Sequence, residues 1–210
     1  MRNVRRIRAI GETQIESKRI DQRARAKPRD SLALVAGELR VRDARSEELD
    51  AVSALLLDAY AQYLRPPREP LTAEERAGLD GYRRNIADVW SREPISSTIV
   101  AERDGKLLGS VNYYAPGQAD SVDGAWPDGW ASIRLLGVSP EARGFGVGRA
   151  LMAECLLRAR ADGATTMGLH TTKLMDVARA MYLRLGFRRA PKYDFHPVPD
   201  FTVEAYELKL

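Results

Sequence analysis

The sequence predicts an α/β (α+β) domain of about seven strands and about four helices. Three observations predict it. Short strand-like segments, apolar or alternating, are interspersed with longer segments whose apolar residues recur at helical spacing. A glycine-rich run, Gly144-Phe145-Gly146-Val147-Gly148, joins an apolar strand to a helix. Hydrophobic residues make up 44% and charged residues 30% of the 210 residues, a globular balance with enough apolar material for one core.

Residues 1–38 are expected to form a basic, flexible leader. They carry 10 Lys+Arg against 5 Asp+Glu, whereas the remaining residues carry 23 against 24. The start, Met1-Arg2-Asn3-Val4-Arg5-Arg6-Ile7-Arg8, is basic, but no apolar stretch follows, so a secretory signal is not expected. The domain proper is read as 39–210. Leu39-Arg40-Val41-Arg42 alternates as a strand does. Ser46 is expected to cap a helix whose stripe is Leu49, Val52, Leu55, Leu56 and Tyr60, reaching about Leu64 before Pro66-Pro67 stops it. Thr72-Ala73-Glu74-Glu75 is a capping box for a second helix through Tyr82 and Ile86 towards Trp90. Thr98 to Ala101 and Leu107 to Tyr114 form a hairpin about Asp104-Gly105. A Gly/Pro/Asp-rich loop, Pro116 to Gly129, leads to a further apolar strand, Ala131 to Val138. Leu151 to Arg160 is helical and stopped by Asp162-Gly163; Thr165 to His170 is a strand. Leu174, Val177, Ala178, Met181, Tyr182 and Leu185 form an amphipathic stripe ended by Gly186. Closing strands are expected near Phe187 to Phe195 and Phe201 to Leu208.

Composition excludes several function classes. The longest apolar runs, such as Ala54 to Leu57, are too short to span a bilayer, so no membrane role is expected. Cys155 is the only cysteine, which leaves no internal disulfide and no thiolate zinc site. Two histidines, His170 and His196, offer little to a metal centre. The charge of +4 sits in the leader, and a neutral body argues against nucleic acid as a partner. A soluble, cytoplasmic protein with no metal is expected.

The chemistry is concentrated after Leu135-Leu136-Gly137-Val138. Three glycines in five residues strip side chains from the backbone, so that N–H groups can approach an anion closely. The helix that follows adds its unpaired N–H groups and the positive end of its dipole. A nucleotide P-loop is excluded, because Gly148 is followed by Arg149-Ala150 instead of Lys-Ser/Thr. A dinucleotide fingerprint is excluded too, since Arg149 or Leu151 falls where its last glycine belongs. On the glycines alone, a tight turn without a ligand stays open.

Arg143-x-x-Gly146-x-Gly148 after that strand resembles the acetyl-CoA motif of the GCN5-related N-acetyltransferase (GNAT) superfamily. Ala178-x-x-x-Tyr182-x-x-x-Gly186-Phe187 is similar to that superfamily's closing helix and strand. The resemblance covers Leu39 to Leu210. It implies a twisted mixed sheet splayed between its fourth strand, Trp130 to Val138, and its fifth, Thr165 to His170, with the pantetheine arm between them. It implies acetyl-CoA as cosubstrate and no metal. Leu136, Gly137 and Val138 would meet the pantetheine, and Arg143, Gly144, Phe145, Gly146, Val147, Gly148 and Arg149 the pyrophosphate. The reaction implied is attack of an acceptor amine, small molecule or protein, on the thioester, with Tyr182 as general acid. A homodimer is compatible with the resemblance.

The chain departs from the family at two places. The fourth strand reads Ala131-Ser132-Ile133-Arg134, without the glutamate many relatives use as base, which leaves His170, His196 or ordered water. Met175 stands where relatives often have an asparagine. Cys155, among apolar helix neighbours, is expected to be buried and inert. Tyr60, Tyr63, Trp126 and Trp130 are expected at the acceptor wall, or in plain packing. The alternative function is an acyl-CoA sensor without turnover, supported by the missing carboxylate.

Overall fold

The computed structural model describes residues 37–64, 70, 72–118, 126–198 and 201–210. The leader through residue 36, Pro66-Pro67 and the middle of the loop after Tyr114 lie outside the described residues. The elements run β1 (Arg40–Asp43), α1 (Leu49–Tyr60), α2 (Ala73–Ala87), β2 (Ser97–Arg103), β3 (Lys106–Tyr114), β4 (Trp130–Val138) and α3 (Val147–Ala161). They continue with β5 (Thr166–Thr171), α4 (Asp176–Arg184), β6 (Arg188–Arg189), β7 (Phe195–Val198) and β8 (Phe201–Lys209). The sheet order is β1-β2-β3-β4-β5-β8-β6, with β7 on β8. Every pairing is antiparallel except β4 with β5.

Local chemistry explains most boundaries. The β2–β3 hairpin turns at Asp104 and Gly105, both at positive φ (52° and 76°), as a two-residue turn matched to strand twist requires. The capping box of α2 forms as expected: Thr72 Oγ1 accepts from Glu75 N–H at 3.2 Å, and Thr72 N–H donates to Glu75 Oε2 at 2.9 Å. That helix stops at Ala87, short of Trp90, where buried Arg92 donates to the Asn85 and Asp88 carbonyls.

Three expectations need correction. Ser46 does not cap α1; Ser46–Glu48 form a 3-10 turn, and the Glu48 carboxylate accepts from Arg45 N–H at 2.8 Å. Arg42 fixes that carboxylate with two bonds of 2.7 and 2.8 Å and also reaches Glu102 at 2.5 Å. The penultimate strand is broken into β6 and β7 by a 3-10 turn at Pro191–Tyr193, because Pro191 has no N–H to give a ladder. The last stripe is buried only at Tyr182, which is 5% exposed; Ala178, Met181 and Leu185 are half-buried, and Leu174 and Val177 are 61% and 74% exposed.

The helices cover both faces of the sheet. On one, Leu49, Val52 and Leu56 of α1 pack with Ile86, Val89, Val100 and Leu135. On the other, α3 buries Leu151, Met152 and Cys155. Two glycines in neighbouring pairs let the layers close. A Cβ on Gly137 would stand 2.8 Å from Leu56 Cδ2 and 3.2 Å from Ala59 Cβ, so α1 rests on the β4 backbone. A Cβ on Gly109 would stand 2.9 Å from both the Gly137 carbonyl and Val147 Cγ1 under α3.

Gly137→Ala is therefore expected to overpack the α1 face and to cost about 1–3 kcal/mol, read as a lower urea midpoint at unchanged slope. A second prediction concerns acid. Arg42 holds the Glu48 carboxyl down at about 2 against an ordinary 4.5. A depressed carboxyl contributes stability that is complete above the unfolded pKa and is lost as pH falls towards the folded one. The stability gap between wild type and Arg42→Gln should therefore narrow between about pH 4.5 and 2. A gap constant over that range in urea titrations would show that the pair contributes nothing.

Candidate active site

The site begins with a fault in the sheet. The β4–β5 ladder runs from Trp130↔Thr166 to Ile133↔Leu169 and ends there. On its other edge, β4 pairs Arg134 with Asn112 and Gly137 with Ser110, so that Leu135 and Leu136 both stand opposite Val111. This is a β-bulge, and Leu135 takes its strain at φ 51°. A leucine there costs about 1–3 kcal/mol. Burial of its side chain in the α1 cluster holds it. Past the bulge the strands part. The cleft between them is lined by Tyr60, Arg134, Leu136, His170, Thr171, Met175, Ala178 and Tyr182, among others.

Register shows that the cleft is lined from both faces of the sheet. Side chains alternate faces along a strand. Arg134 and Gly137, opposite Asn112 and Ser110, share the α1 face, and so do Ser132 and its partner Gly168. His170 follows Gly168 on that face. Thr171, one residue further, turns to the face of α3 and α4, where Tyr182 lies.

The glycine loop opens at one end of the cleft. Gly144 and Gly146 have φ of 83° and 82°, and a Cβ at either would meet nothing within 4 Å, so the backbone is bare on its outer side. Gly146 precedes α3, whose first intrahelical bond is Ala150 N–H to the Gly146 carbonyl at 3.0 Å. The N–H groups of Val147, Gly148 and Arg149 come before that bond and have no partner along the helix. A Cβ on Gly148 would lie 3.6–3.7 Å from Met181 Sδ, Val138 Cγ2 and Leu136 Cδ2, so β4, α3 and α4 meet there. Phe145 is half-buried and Arg149 exposed. Arg143 Nη2 donates to the Ala59 carbonyl at 2.8 Å and so ties the loop to the last turn of α1.

Tyr182 reaches the cleft from α4, its ring centroid 5.8 Å from that of Phe187. Burial pushes its phenol well above the ordinary range and keeps it protonated. Tyr60 lies across from it and donates to the Leu136 carbonyl at 3.4 Å, and its phenol is likewise raised by burial. Tyr63 packs edge-on to Tyr60 at 6.1 Å. Sequence reasoning missed Thr171 and Thr172, whose hydroxyl oxygens are buried without a hydrogen-bond partner. Two adjacent threonines closing an apolar strand were the available signal. Open glycines, unpaired N–H groups and orphaned hydroxyls together fit a long ligand with an anionic end and an amide-bearing arm.

The remaining candidates separate. His170 stacks on Trp126 at 4.6 Å, meets Phe195 edge-on at 5.1 Å, and has Nε2 2.9 Å from the Tyr193 carbonyl. A carbonyl only accepts, so Nε2 carries a ring proton. Trp126 also stacks on Trp130 at 5.4 Å and lies over Gly168, where a Cβ would be 2.9 Å from its indole. His196 is exposed on β7 and does not line the cleft. Cys155 is buried, its thiol pushed up to about 12 by burial, as an inert residue would be. Arg134 is half-buried and its Nη2 donates to Asn85 Oδ1 at 3.4 Å. Among the described residues, no group of three or more His, Cys, Asp or Glu could hold a metal ion, and no helix is long and apolar enough to cross a membrane.

The model of the acetyltransferase (GNAT) family matches residues 55–187. Mycothiol acetyltransferase of Cellulomonas flavigena is 42% identical over 112 residues, 51% of this chain and 32% of that protein. L-2,4-diaminobutyric acid acetyltransferase of Nocardia farcinica is 30% identical over 116 residues, 55% of each. A solved GCN5-related N-acetyltransferase from Kribbella flavida superposes with a TM-score of 0.54 at 25% identity, over 82% of this chain and 98% of that one. The chain spans between 32% and 53% of the length of the mycothiol acetyltransferases it matches.

Proposed function

Because the chain belongs to the acetyltransferase (GNAT) family, we propose that it transfers an acetyl group from acetyl-CoA to the amine of an acceptor by direct attack on the thioester. The observation that carries this reading is the parting of β4 from β5, with a bare glycine loop at one end and Tyr182 inside. Bound acetyl-CoA supplies an activated thioester at the end of a long arm. The edge of β4 at Leu136, Gly137 and Val138, freed from β5, pairs with the arm's amides. The backbone from Gly144 to Gly148 and the first N–H groups of α3 hold the pyrophosphate. Arg149 adds charge at that helix end, and Arg143 serves the loop by anchoring it to α1. Thr171 and Thr172 offer hydroxyls to the arm.

Catalysis in this reading needs little beyond placement and one proton. Backbone N–H groups of the parted strand stabilise the charge that grows on the carbonyl oxygen. Tyr182 donates its proton to the departing sulfur. The same dry cleft that raises the phenol also raises the proton affinity of the sulfur anion, so donation runs in that direction. With no carboxylate on β4, the amine's proton leaves through water or His170. Relatives named for mycothiol and L-2,4-diaminobutyric acid favour a small-molecule acceptor over a protein one. The buried free thiol of Cys155 suits a reducing compartment, so the reading takes the cytoplasm as its setting. Residues 1–38 take no part in it.

Two substitutions test it. Gly146→Asp puts a negative charge into open space at the loop and should weaken acetyl-CoA binding by about tenfold or more in a folded protein, measured by calorimetry. Unchanged affinity would make the loop a plain turn. Tyr182→Phe removes only a hydroxyl and should slow the single-turnover chemical step by about 100-fold or more while leaving acetyl-CoA affinity nearly constant. A normal rate with reduced stability would make Tyr182 a core residue. Binding of acetyl-CoA without transfer to any amine of a broad panel would favour the sensor.

A further inference from the structure

The phase of the β3–β4 ladder decides which backbone groups the parted strand bares. Ser139 N–H donates to the Leu108 carbonyl at 2.9 Å, and Gly137, two residues earlier, stands opposite Ser110. Backbone groups alternate edges along a strand, so the N–H and carbonyl of Gly137 also face β3. Across a trans peptide the preceding carbonyl points the opposite way, and the Leu136 carbonyl therefore faces the edge that β5 leaves after Ile133. Leu136 belongs to β4, and in an extended residue the N–H faces the same edge as the carbonyl. Tyr60 meets this carbonyl with its hydroxyl at 3.4 Å, the one hydrogen bond of that phenol among the described residues. A Cβ on Gly137 would stand 3.7 Å from Tyr60 Cε2, so the ring reaches across the glycine. The main chain of Tyr60 is held as well: its carbonyl accepts from Tyr63 and Leu64 N–H at 2.8 and 3.2 Å, and Arg143 bonds the Ala59 carbonyl beside it. Tyr60 is 8% exposed, and burial keeps its phenol protonated and a donor.

Resting on the transferase reading above, we propose that Tyr60 is a positioning residue for the transfer step: by holding the Leu136 carbonyl, it aims the Leu136 N–H at the thioester oxygen. A peptide at an open edge has lost the neighbour strand that would set its tilt, and the bulge at Leu135 removes the regular spacing on its other side. The ladder bond to β3 fixes Gly137 from behind, and Tyr60 fixes Leu136 from the front. In the step itself the amine nitrogen bonds the carbonyl carbon, and the carbonyl electron pair moves onto oxygen, where the N–H meets it. The pair returns as the carbon–sulfur bond breaks. Tyr182 gives the sulfur its proton and regains one from solvent, while the amine's surplus proton passes to water or His170. A donor to the oxyanion is effective when it is aimed before the charge forms, so the tilt of one peptide enters the rate directly. The Leu136 carbonyl keeps a second lone pair for an amide of the arm. The two phenols of the cleft divide the work, Tyr182 serving the departing sulfur and Tyr60, through Leu136, the oxygen.

Tyr60→Phe keeps the ring across Gly137 and deletes only the hydroxyl. Acetyl-CoA isotopically labelled at its acetyl carbonyl, bound to the full chain, reports on the oxygen by infrared difference spectroscopy, since an aimed N–H lowers the carbonyl stretch below its frequency in free acetyl-CoA. In Tyr60→Phe the stretch should move back towards the free value. Acetyl-CoA affinity by calorimetry should stay within about threefold of wild type, while the single-turnover rate with the best acceptor of a small-amine panel falls by about 10- to 100-fold. A Tyr60→Phe protein with the wild-type stretch and rate overturns the proposal and leaves the transferase standing. So does a wild-type stretch equal to that of free acetyl-CoA. A variant that loses acetyl-CoA affinity and thermal stability while the stretch of the bound fraction is unchanged overturns it too, since that is the signature of packing alone. If acetyl-CoA binds and no amine of the panel is acetylated by wild type, the transferase reading falls and the positioning role with it.

Discussion

Two parallel strands share a ladder only while both run at one spacing, and β4 abandons that spacing after Ile133. The forces on either side are unequal. Behind β4, α1 presses on Gly137, and Gly109 brings β3 within contact of the Gly137 carbonyl and of Val147. Behind β5, a six-residue antiparallel ladder from Thr166↔Lys209 to Thr171↔Glu204 binds it to β8. The bulge at Leu135 and Leu136 turns β4 with its own partners and away from β5. The sheet therefore works as two half-sheets hinged on a short common ladder, and the cleft is the space that their disagreement creates.

The end of α1 holds that arrangement in register with the loop. Three contacts converge on its last turn: Arg143 on the Ala59 carbonyl, Tyr60 on the Leu136 carbonyl, and the Gly137 backbone against Leu56 and Ala59. Each spans a long stretch of sequence, and together they couple the helix to both the bared strand edge and the glycine loop. On the far half, Arg189 and Asp194 bind β6 to the turn before β7 and to β8. Arg179 of α4 meets Glu204 at 3.4 Å, so α4, which carries Tyr182, is fixed to β8.

What could be read from the chain divides along the same lines. The glycine loop was legible because a chain that turns through positive φ, as at Gly144 and Gly146, demands glycine at fixed places, and the capping box of α2 because its two bonds are local. The break between β6 and β7 was also legible in Pro191, although the apolar flanks suggested one strand. Leu135 carries no mark of its positive φ, since the strain is supported by tertiary burial that sequence spacing does not encode. Arg143 stands in the loop where its motif put it, but its bond to the Ala59 carbonyl joins residues 84 apart, which spacing does not show. The stripe ending at Leu185 gave the inner face of α4 correctly, but periodicity cannot say how far a helix overhangs its sheet, and Leu174 and Val177 are exposed. The lack of a carboxylate on β4 was plain in the sequence. That Arg134 and His170 face away from Tyr182 needed the register.

A cleft lined from both faces of a sheet also divides its contacts into two sets. The strand edge, the loop and α3 stand on one side, where altering a glycine disturbs backbone contacts. Arg134, Trp126, Tyr193 and Phe195 stand around the other mouth, held by side-chain stacking and single hydrogen bonds. Substitution at the second mouth can proceed without touching the first. In the transferase proposed above, the donor side and the acceptor side would thus change independently, each within its own set of contacts.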